Sequence, residues 1–235
     1  GTVHCTGSLA DRLAHREIPP GTFVAVPGVK GAVAFDVGDA SGCFLAADGA
    51  LSCWGARERI GRTIADVVTR PVEVRGLSAV VQLASVDKRT CAVDTGGSAW
   101  CWGGSSDSAT AAKVAGLERV TDLALGHDAS CARRSDGKVL CWAGEYGADG
   151  ILGDAKAHDW GQSAAPPTLV ALGANATAVA VGAVHACALT TAAALSCWGT
   201  NYHGVLGKPQ GVEHPPAEKP ALVAPFSLLG ARRSL

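Results

Sequence analysis

Cysteine is the residue type whose number and spacing in this chain most suggest chemistry. Nine cysteines occur in 235 residues. Eight of them form four pairs with a constant separation of ten positions: Cys43/Cys53, Cys91/Cys101, Cys131/Cys141 and Cys187/Cys197. Reducing cytosol rarely retains so many cysteines unless they bind metal or carry out redox chemistry. The spacing therefore has to distinguish between disulfide, metal and thiol chemistry.

Metal binding and thiol catalysis both call for a different spacing. Zinc sites favour cysteine pairs separated by two to four residues, with four ligands brought together. Nine residues intervene here, and each repeat supplies only one pair. The sequence also has no Cys-x-x-Cys motif, which disulfide oxidoreductases use. We therefore expect neither a metal site nor a catalytic thiol, and the pairs are interpreted as disulfides.

The segment between paired cysteines has the features of a β-hairpin. Ser135-Asp136-Gly137 lies midway between Cys131 and Cys141, and a three-residue turn with a left-handed glycine fits it. This register places the two cysteines directly opposite each other, with Cα atoms about 4.5 Å apart at a non-hydrogen-bonded site. A disulfide closes at that separation and stabilises by about 2–3 kcal/mol in the chain-entropy model. We predict four disulfides: Cys43–Cys53, Cys91–Cys101, Cys131–Cys141 and Cys187–Cys197.

Cys5 is left without a partner in this scheme. It lies 48 positions before Cys53 and has the same frame as the later Cys-Trp-Gly segments. We interpret it as the second cysteine of a partial repeat whose partner lies upstream. A free thiol or an intermolecular disulfide are the alternatives.

The cysteine pairs mark a repeat. Their first members lie 48, 40 and 56 residues apart. Alternating apolar residues such as Leu123 and Leu125 precede the first cysteine and indicate a half-buried strand. With the hairpin and a Gly-rich loop, each unit has about four short strands, which is typical of a propeller blade. The predicted units are a partial repeat 1–26, repeats at about 27–71, 72–113, 114–168 and 169–220, and a tail 221–235.

The fourth unit carries the most specific motif. It has His185-Ala186-Cys187-Ala188-Leu189, then Cys197-Trp198-Gly199-Thr200-Asn201, and closes with Gly204-Val205-Leu206-Gly207. This closely resembles the regulator of chromosome condensation repeat family, in a disulfide-bearing, bacterial-type variant. The resemblance implies an all-β propeller. Because members usually close a ring of seven blades, four full blades plus a partial one look like a portion of such a ring.

The resemblance implies a shared structural framework rather than one shared activity. Family members include a nucleotide-exchange factor for a small GTPase, a plant ultraviolet-B receptor and a bacterial inhibitor of β-lactamases. They share a rigid ring that displays loops. We therefore expect a non-catalytic binding scaffold, with exchange-factor-like regulation of a GTPase and a propeller hydrolase or lyase as alternatives. The cysteines argue against the exchange factor, since GTPases work in reducing cytosol and disulfides indicate an extracytoplasmic location.

The loops that follow each Cys-Trp vary most between units, and loops on a rigid frame carry specificity. The predicted partner is a protein or a surface polymer. The tryptophans after the second cysteines, Trp54, Trp102, Trp142 and Trp198, are expected to pack between blades, and His127 and His185 are expected to be structural. The candidate binding residues are Arg57, Glu58, Arg59, Asp107, Glu145, Tyr146, Trp160, Asn201, Tyr202 and His203.

Composition and motifs exclude several other functions. The net charge is −1, so electrostatic attraction to nucleic acid is not expected. No phosphate-binding loop occurs, and the repeat supplies no singular nucleophile beside a base. We expect no catalytic residue, cofactor or small-molecule ligand. The apolar stretch 169–189 alternates in pattern and contains Asn175, so it fits two buried strands better than a membrane span.

Overall fold

The structure, a computed structural model, describes residues 1–7, 19–56, 59–61, 68–77, 79–103, 108–127, 129–143, 150–154, 166–206 and 218–222. Their strands form four four-stranded antiparallel sheets and one two-stranded sheet. Each four-stranded sheet is a meander in chain order, and we call these sheets blades 1 to 4. This arrangement confirms the predicted all-β fold with four blades and a partial one.

The strands have the following bounds. The two-stranded sheet contains β1 (His4–Cys5) and β2 (Val24–Ala25). Blade 1 contains β3 (Ala32–Val37), β4 (Ser41–Ala46), β5 (Leu51–Gly55) and β6 (Val68–Glu73). Blade 2 contains β7 (Val80–Val86), β8 (Arg89–Asp94), β9 (Ala99–Gly103) and β10 (Ser108–Lys113). Blade 3 contains β11 (Val120–Leu125), β12 (Ala129–Arg134), β13 (Val139–Ala143) and β14 (Thr168–Leu169). Blade 4 contains β15 (Ala176–Val181), β16 (His185–Thr190), β17 (Leu195–Gly199) and β18 (Glu218–Leu222), with a short 3-10 helix at Tyr202–Gly204.

The second and third strands of every blade are joined by a disulfide. The hairpin register pairs Cys43 with Cys53, and it repeats in the other three blades. The paired Cα atoms lie 4.0–4.1 Å apart. All four predicted disulfides are confirmed, and the hairpin turn explains them because it sets which residues face each other.

The hydrophobic core lies between blades rather than within them. The disulfide of blade 1 and Leu51 form one buried cluster with Trp102 of blade 2. Trp198 of blade 4 packs in the same way against the Cys131–Cys141 disulfide of blade 3. Each sheet is only one layer thick, so it buries its faces against its neighbours.

The repeat tryptophans fasten these junctions. All four are buried. The indole Nε1 of Trp102 donates to the carbonyl of Arg59 in the preceding blade at 3.0 Å, and that of Trp198 donates to the carbonyl of Ile151 at 2.8 Å. The prediction that these residues pack between blades is confirmed, and burial removes them from contact with a ligand.

A backbone hydrogen bond repeats at every junction. The amide of the first residue in each inner strand donates to the carbonyl of the glycine in the preceding hairpin turn: Val80 to Gly49, Val120 to Gly97 and Ala176 to Gly137, at 2.7–3.1 Å. Glycine is needed because the neighbouring backbone comes close. A Cβ on Gly137 would lie 2.6 Å from the Cβ of Asn175.

The two-stranded sheet is the outer half of one more blade. The amide of Val26 donates to the carbonyl of Val3 at 2.9 Å, just as the amide of Val74 donates to the carbonyl of Leu51 in blade 1. The amide of Ala32 donates to the carbonyl of Gly1 at 3.2 Å. This bond is equivalent to the backbone bond found at the junctions between complete blades. Cys5 is therefore in the frame of the second cysteine, as its spacing predicts. It is a free cysteine in the structure.

No helix among the residues that the structure describes is long and apolar enough to cross a bilayer.

The four disulfides predict the thiol content of the protein. Denatured without reductant, the chain should react with one equivalent of a thiol reagent, and with nine after reduction, since only Cys5 is free. The Cys5→Ser variant should have no reactive thiol before reduction. Eight or more reactive thiols in the unreduced protein would contradict the covalent frame.

Candidate interaction face

The antiparallel meander brings two sets of loops to one edge of every blade. The turn between the first and second strands and the connection between the third and fourth strands both leave from this edge, which we call the loop face. Four of the predicted binding residues lie in third-to-fourth connections that the structure describes, where the flanking strands place them at the loop face: Arg59, Asn201, Tyr202 and His203. The other six lie outside the described part of the chain: Arg57, Glu58, Asp107, Glu145, Tyr146 and Trp160.

The glycine after Cys-Trp sets how closely the two loops of a blade approach. Gly55 has a φ of 114°, and a Cβ there would lie 2.3 Å from the carbonyl oxygen of Ala40. Gly199 has a φ of 105°, and a Cβ there would lie 2.6 Å from the carbonyl oxygen of Val184. The next amide in each loop donates to that carbonyl: Ala56 to Ala40 and Thr200 to Val184, both at 2.9 Å. Only glycine allows this approach at such φ values.

Arg59 joins blades rather than projecting freely. Its side chain is largely buried, and Nη1 lies 3.2 Å from Oδ2 of Asp39. Its carbonyl accepts the Trp102 indole of blade 2. The backbone of Arg59 thus belongs to the junction, while its guanidinium neutralises an exposed carboxylate on the loop face.

The loop after β17 is ordered by Asn201. This side chain is buried, and its Oδ1 accepts the amide of Leu206 at 2.9 Å. The Asn201 carbonyl accepts the Gly204 amide at 3.3 Å. His203, with a φ of 56°, is exposed at the tip of the short helix. Asn201 therefore holds the loop, and His203 is the residue it presents to solvent.

The sequence did not point to the short first-to-second turns, which add a polar line across the loop face. Asp39 is exposed, and its amide donates to the carbonyl of Asp87 in blade 2 at 2.8 Å. The Asp87 carboxylate lies 3.8 Å from Nε2 of His127 in blade 3, and both side chains are partly exposed. With Arg59, these residues form a row of basic and acidic side chains over three blades. Their position at the same edge as the long loops is the signal that could have identified them.

His185 lies at the start of β16, where the loop face meets blade 4. Its ring packs directly on Gly182, because a Cβ on that glycine would lie 2.4 Å from the imidazole Cε1. Burial lowers the pKa of His185 below its usual value. The prediction of a structural histidine fits this packing.

The opposite edge of the blades has tight turns and a compact ion cluster. Oδ2 of Asp136 lies 2.9 Å from Nη2 of Arg134 and 3.3 Å from Nη2 of Arg119. Desolvation acts to raise the pKa of Asp136, but the Lys138 amide and the surrounding positive charges outweigh it and hold the pKa below its usual range. These carboxylate and guanidinium groups satisfy each other.

No group of three His, Cys, Asp or Glu residues within the described segments is arranged to hold a metal ion.

Solved propellers have the same fold. Human WBSCR16 matches with a TM-score of 0.70 at 20% identity, over 87% of this chain and 56% of that protein. Prp20p of Saccharomyces cerevisiae matches with a TM-score of 0.70 at 18% identity, over 89% of this chain and 54% of that one. Yeast RCC1 (Prp20) bound to Kap60 matches with a TM-score of 0.69 at 19% identity, over 89% and 52%.

These comparisons establish the fold predicted from the repeat. The chain has the propeller fold of the chromosome condensation regulators and spans about half the length of the proteins it matches. No family model and no curated protein matches the sequence.

The close approach at the Cys-Trp-Gly glycine predicts a stability cost. Gly55→Ala should lower the free energy of unfolding by about 2–3 kcal/mol, since it adds backbone strain and a clash with Ala40. Gly28→Ala is the matched control, because Gly28 also has a positive φ but nothing lies within 4 Å of its Cβ position. The Gly28→Ala change should lower the free energy of unfolding by about 1 kcal/mol. Denaturant unfolding of both variants measures the difference, and equal losses would refute the role given to the close approach.

The lowered pKa of His185 predicts a pH-dependent stability. Below a pH of about 6.5 the unfolded chain binds a proton at this histidine more readily than the folded protein does. Stability should therefore fall as the pH falls through that range, and His185→Asn should reduce the slope. Urea unfolding at pH 5.5 to 7.5 measures this, and the same slope in His185→Asn and the parent would contradict it.

Proposed function

We propose that the chain is a non-catalytic, extracytoplasmic binding scaffold that uses its loop face to bind another protein. One observation carries the proposal: every repeated aromatic residue and every disulfide is used to join strands or blades, while variable loops converge on one edge. Rigid frames with variable loops at one edge are a common architecture for recognition.

The polar row on the loop face supports a protein partner. Arg59 pairs with Asp39, and His127 lies beside Asp87, so basic and acidic side chains share one row over three blades. Mixed charges in a row favour a partner of complementary pattern and fix its register. A groove of about 210 Å³ at the opposite edge is lined by Lys138, Leu169 and Asn175. This volume is below the range usual for small-molecule sites.

The covalent frame supports an extracytoplasmic location. Four disulfides connect neighbouring strands, and such bonds persist in oxidising compartments. Prp20p, which has the same fold, is described by its binding to Gsp1p and histones. For this chain the likeness supports recognition of a protein, whereas the disulfides favour a partner outside the cytoplasm.

The test uses random peptides displayed on phage, selected against the immobilised protein. Peptides enriched by the selection should lose at least about tenfold in affinity for the Asp87→Lys variant, since this charge lies at the centre of the polar row. Glu118→Lys makes the same charge change at an exposed position on the opposite edge and should have no effect.

Peptides that bind both variants equally, or that lose binding only to Glu118→Lys, would overturn the assignment of the loop face. Turnover of esterase, glycosidase or lyase substrates by the purified protein would overturn its non-catalytic character.

A further inference from the structure

The connection from blade 3 to blade 4 departs from the residue order of the two connections before it. Residues 74–77 read Val-Arg-Gly-Leu and residues 114–117 read Val-Ala-Gly-Leu, whereas residues 170–173 read Val-Ala-Leu-Gly. The valine that opens each connection is in the same place, because its amide donates to the third strand of its own blade at 2.8–2.9 Å in all three. Glycine and leucine have therefore exchanged positions only in the last of these connections.

This exchange takes a leucine out of the core. Leu77 is 6% exposed and shares a buried cluster with Leu51, and Leu117 is completely buried. Their equivalent Gly173 is exposed, and no heavy atom of the described residues beyond its chain neighbours lies within 4 Å of the position of a Cβ there. Leu172 is only partly buried against the core of its own junction. The place that a leucine fills in two connections is thus open in the third.

The groove at the edge opposite the loop face lies at this open place. Its volume is about 210 Å³, and Leu172 and Gly173 are part of its lining. Val139 also lines it. This residue is equivalent to Leu51, since the carbonyl of each accepts the amide of the valine that opens the connection. The groove therefore occupies the position of a missing apolar side chain.

Two other side chains at the groove differ from their equivalents. Leu169 is 52% exposed, and the same position in blades 1 and 2 is occupied by Glu73 and Lys113. Lys138 is exposed directly after the hairpin turn, where the other three blades have alanine or serine. It is the only charged residue among the described residues that line the groove. The groove thus combines an apolar wall with one positive charge.

The electrostatic surroundings of the groove favour an anionic group. In the ion cluster beside it, Arg119, Arg134 and Lys138 share the single carboxylate of Asp136, so the cluster has an excess of positive charge. Asn175 adds an exposed carboxamide to the lining, while its backbone carbonyl accepts the amide of Thr191 at 2.8 Å. A carboxamide can donate to or accept from a peptide group.

We propose that this groove binds the C-terminal leucine of a partner polypeptide. The leucine side chain fills the open place against Val139 and Leu169, and the α-carboxylate pairs with the ammonium group of Lys138. A groove of this volume accommodates an apolar group and a carboxylate only when the two are close together in the ligand, and a C-terminal leucine has both on one residue. The site lies at the edge opposite the loop face, so it does not depend on the function proposed above.

The test measures binding of short synthetic peptides to the isotope-labelled protein by NMR titration. A peptide ending in Gly-Ser-Leu with a free carboxylate should bind saturably at millimolar concentration. Its C-terminal amide should bind at least about threefold more weakly, because the charge pair with Lys138 is lost. A peptide ending in Gly-Ser-Ala should bind at least about tenfold more weakly, because little apolar surface is left to bury.

Two variants of the protein locate the site. The double change Leu172→Gly and Gly173→Leu restores the order of the other connections, fills the groove and should weaken binding at least about tenfold. Its midpoint of urea unfolding should not fall, because a leucine becomes buried. Lys138→Gln should bind the free carboxylate and the amide equally. Lys30→Gln, which removes an exposed lysine from the connection that precedes blade 1, is the matched control and should keep the preference of the parent.

Three results would each overturn the proposal: no saturable binding of the free carboxylate, equal affinity of the parent for carboxylate and amide, or parent-like binding by the folded double variant. If the double variant proves unstable, Lys138→Gln decides the question alone. A preference for the free carboxylate that survives this change then refutes the site.

Discussion

Packing of one blade on the next is the interaction on which the structure depends. A single blade is one sheet with two faces, and it has no core of its own. The disulfide face of one blade meets the buried tryptophan of the next, and the indoles of Trp102 and Trp198 donate to a carbonyl of the neighbouring blade. A backbone bond to the hairpin glycine fixes the same junction at the opposite edge. Because the junction uses the same residues each time, the constant spacing of cysteine and tryptophan along the chain follows from it.

The same constraint divides the residues into those that build the frame and those left for recognition. Residues at fixed repeat positions are used between strands or blades, including the glycine after Cys-Trp, whose lack of a side chain lets two loops touch. Even within the variable loops, Asn201 and the backbone of Arg59 serve the frame. Side chains such as His203 and Asp39 are presented at the loop face because their neighbours are fixed in this way.

Most of the fold could be predicted from the sequence because it is encoded locally. The hairpin register followed from the turn around Asp136, and the disulfides followed from the register. The loop face was harder to predict, because the burial of Arg59 and Asn201 depends on contacts with distant residues. The polar row of Asp39, Asp87 and His127 has no residue motif of its own, since it forms only when short turns from three blades meet at one edge. Only the edge that these turns share with the long loops could have pointed to it.

The covalent hairpins have a consequence for how the molecule opens and recovers. In a stack of repeats each unit is held only by its neighbours, so a blade can open locally while the others stay packed. A sheet that opens in this way normally risks pairing again one residue out of step, which would turn its apolar side to water. A sulfur bridge between the two middle strands prevents that slip, so a blade that opens closes again with its pairing intact.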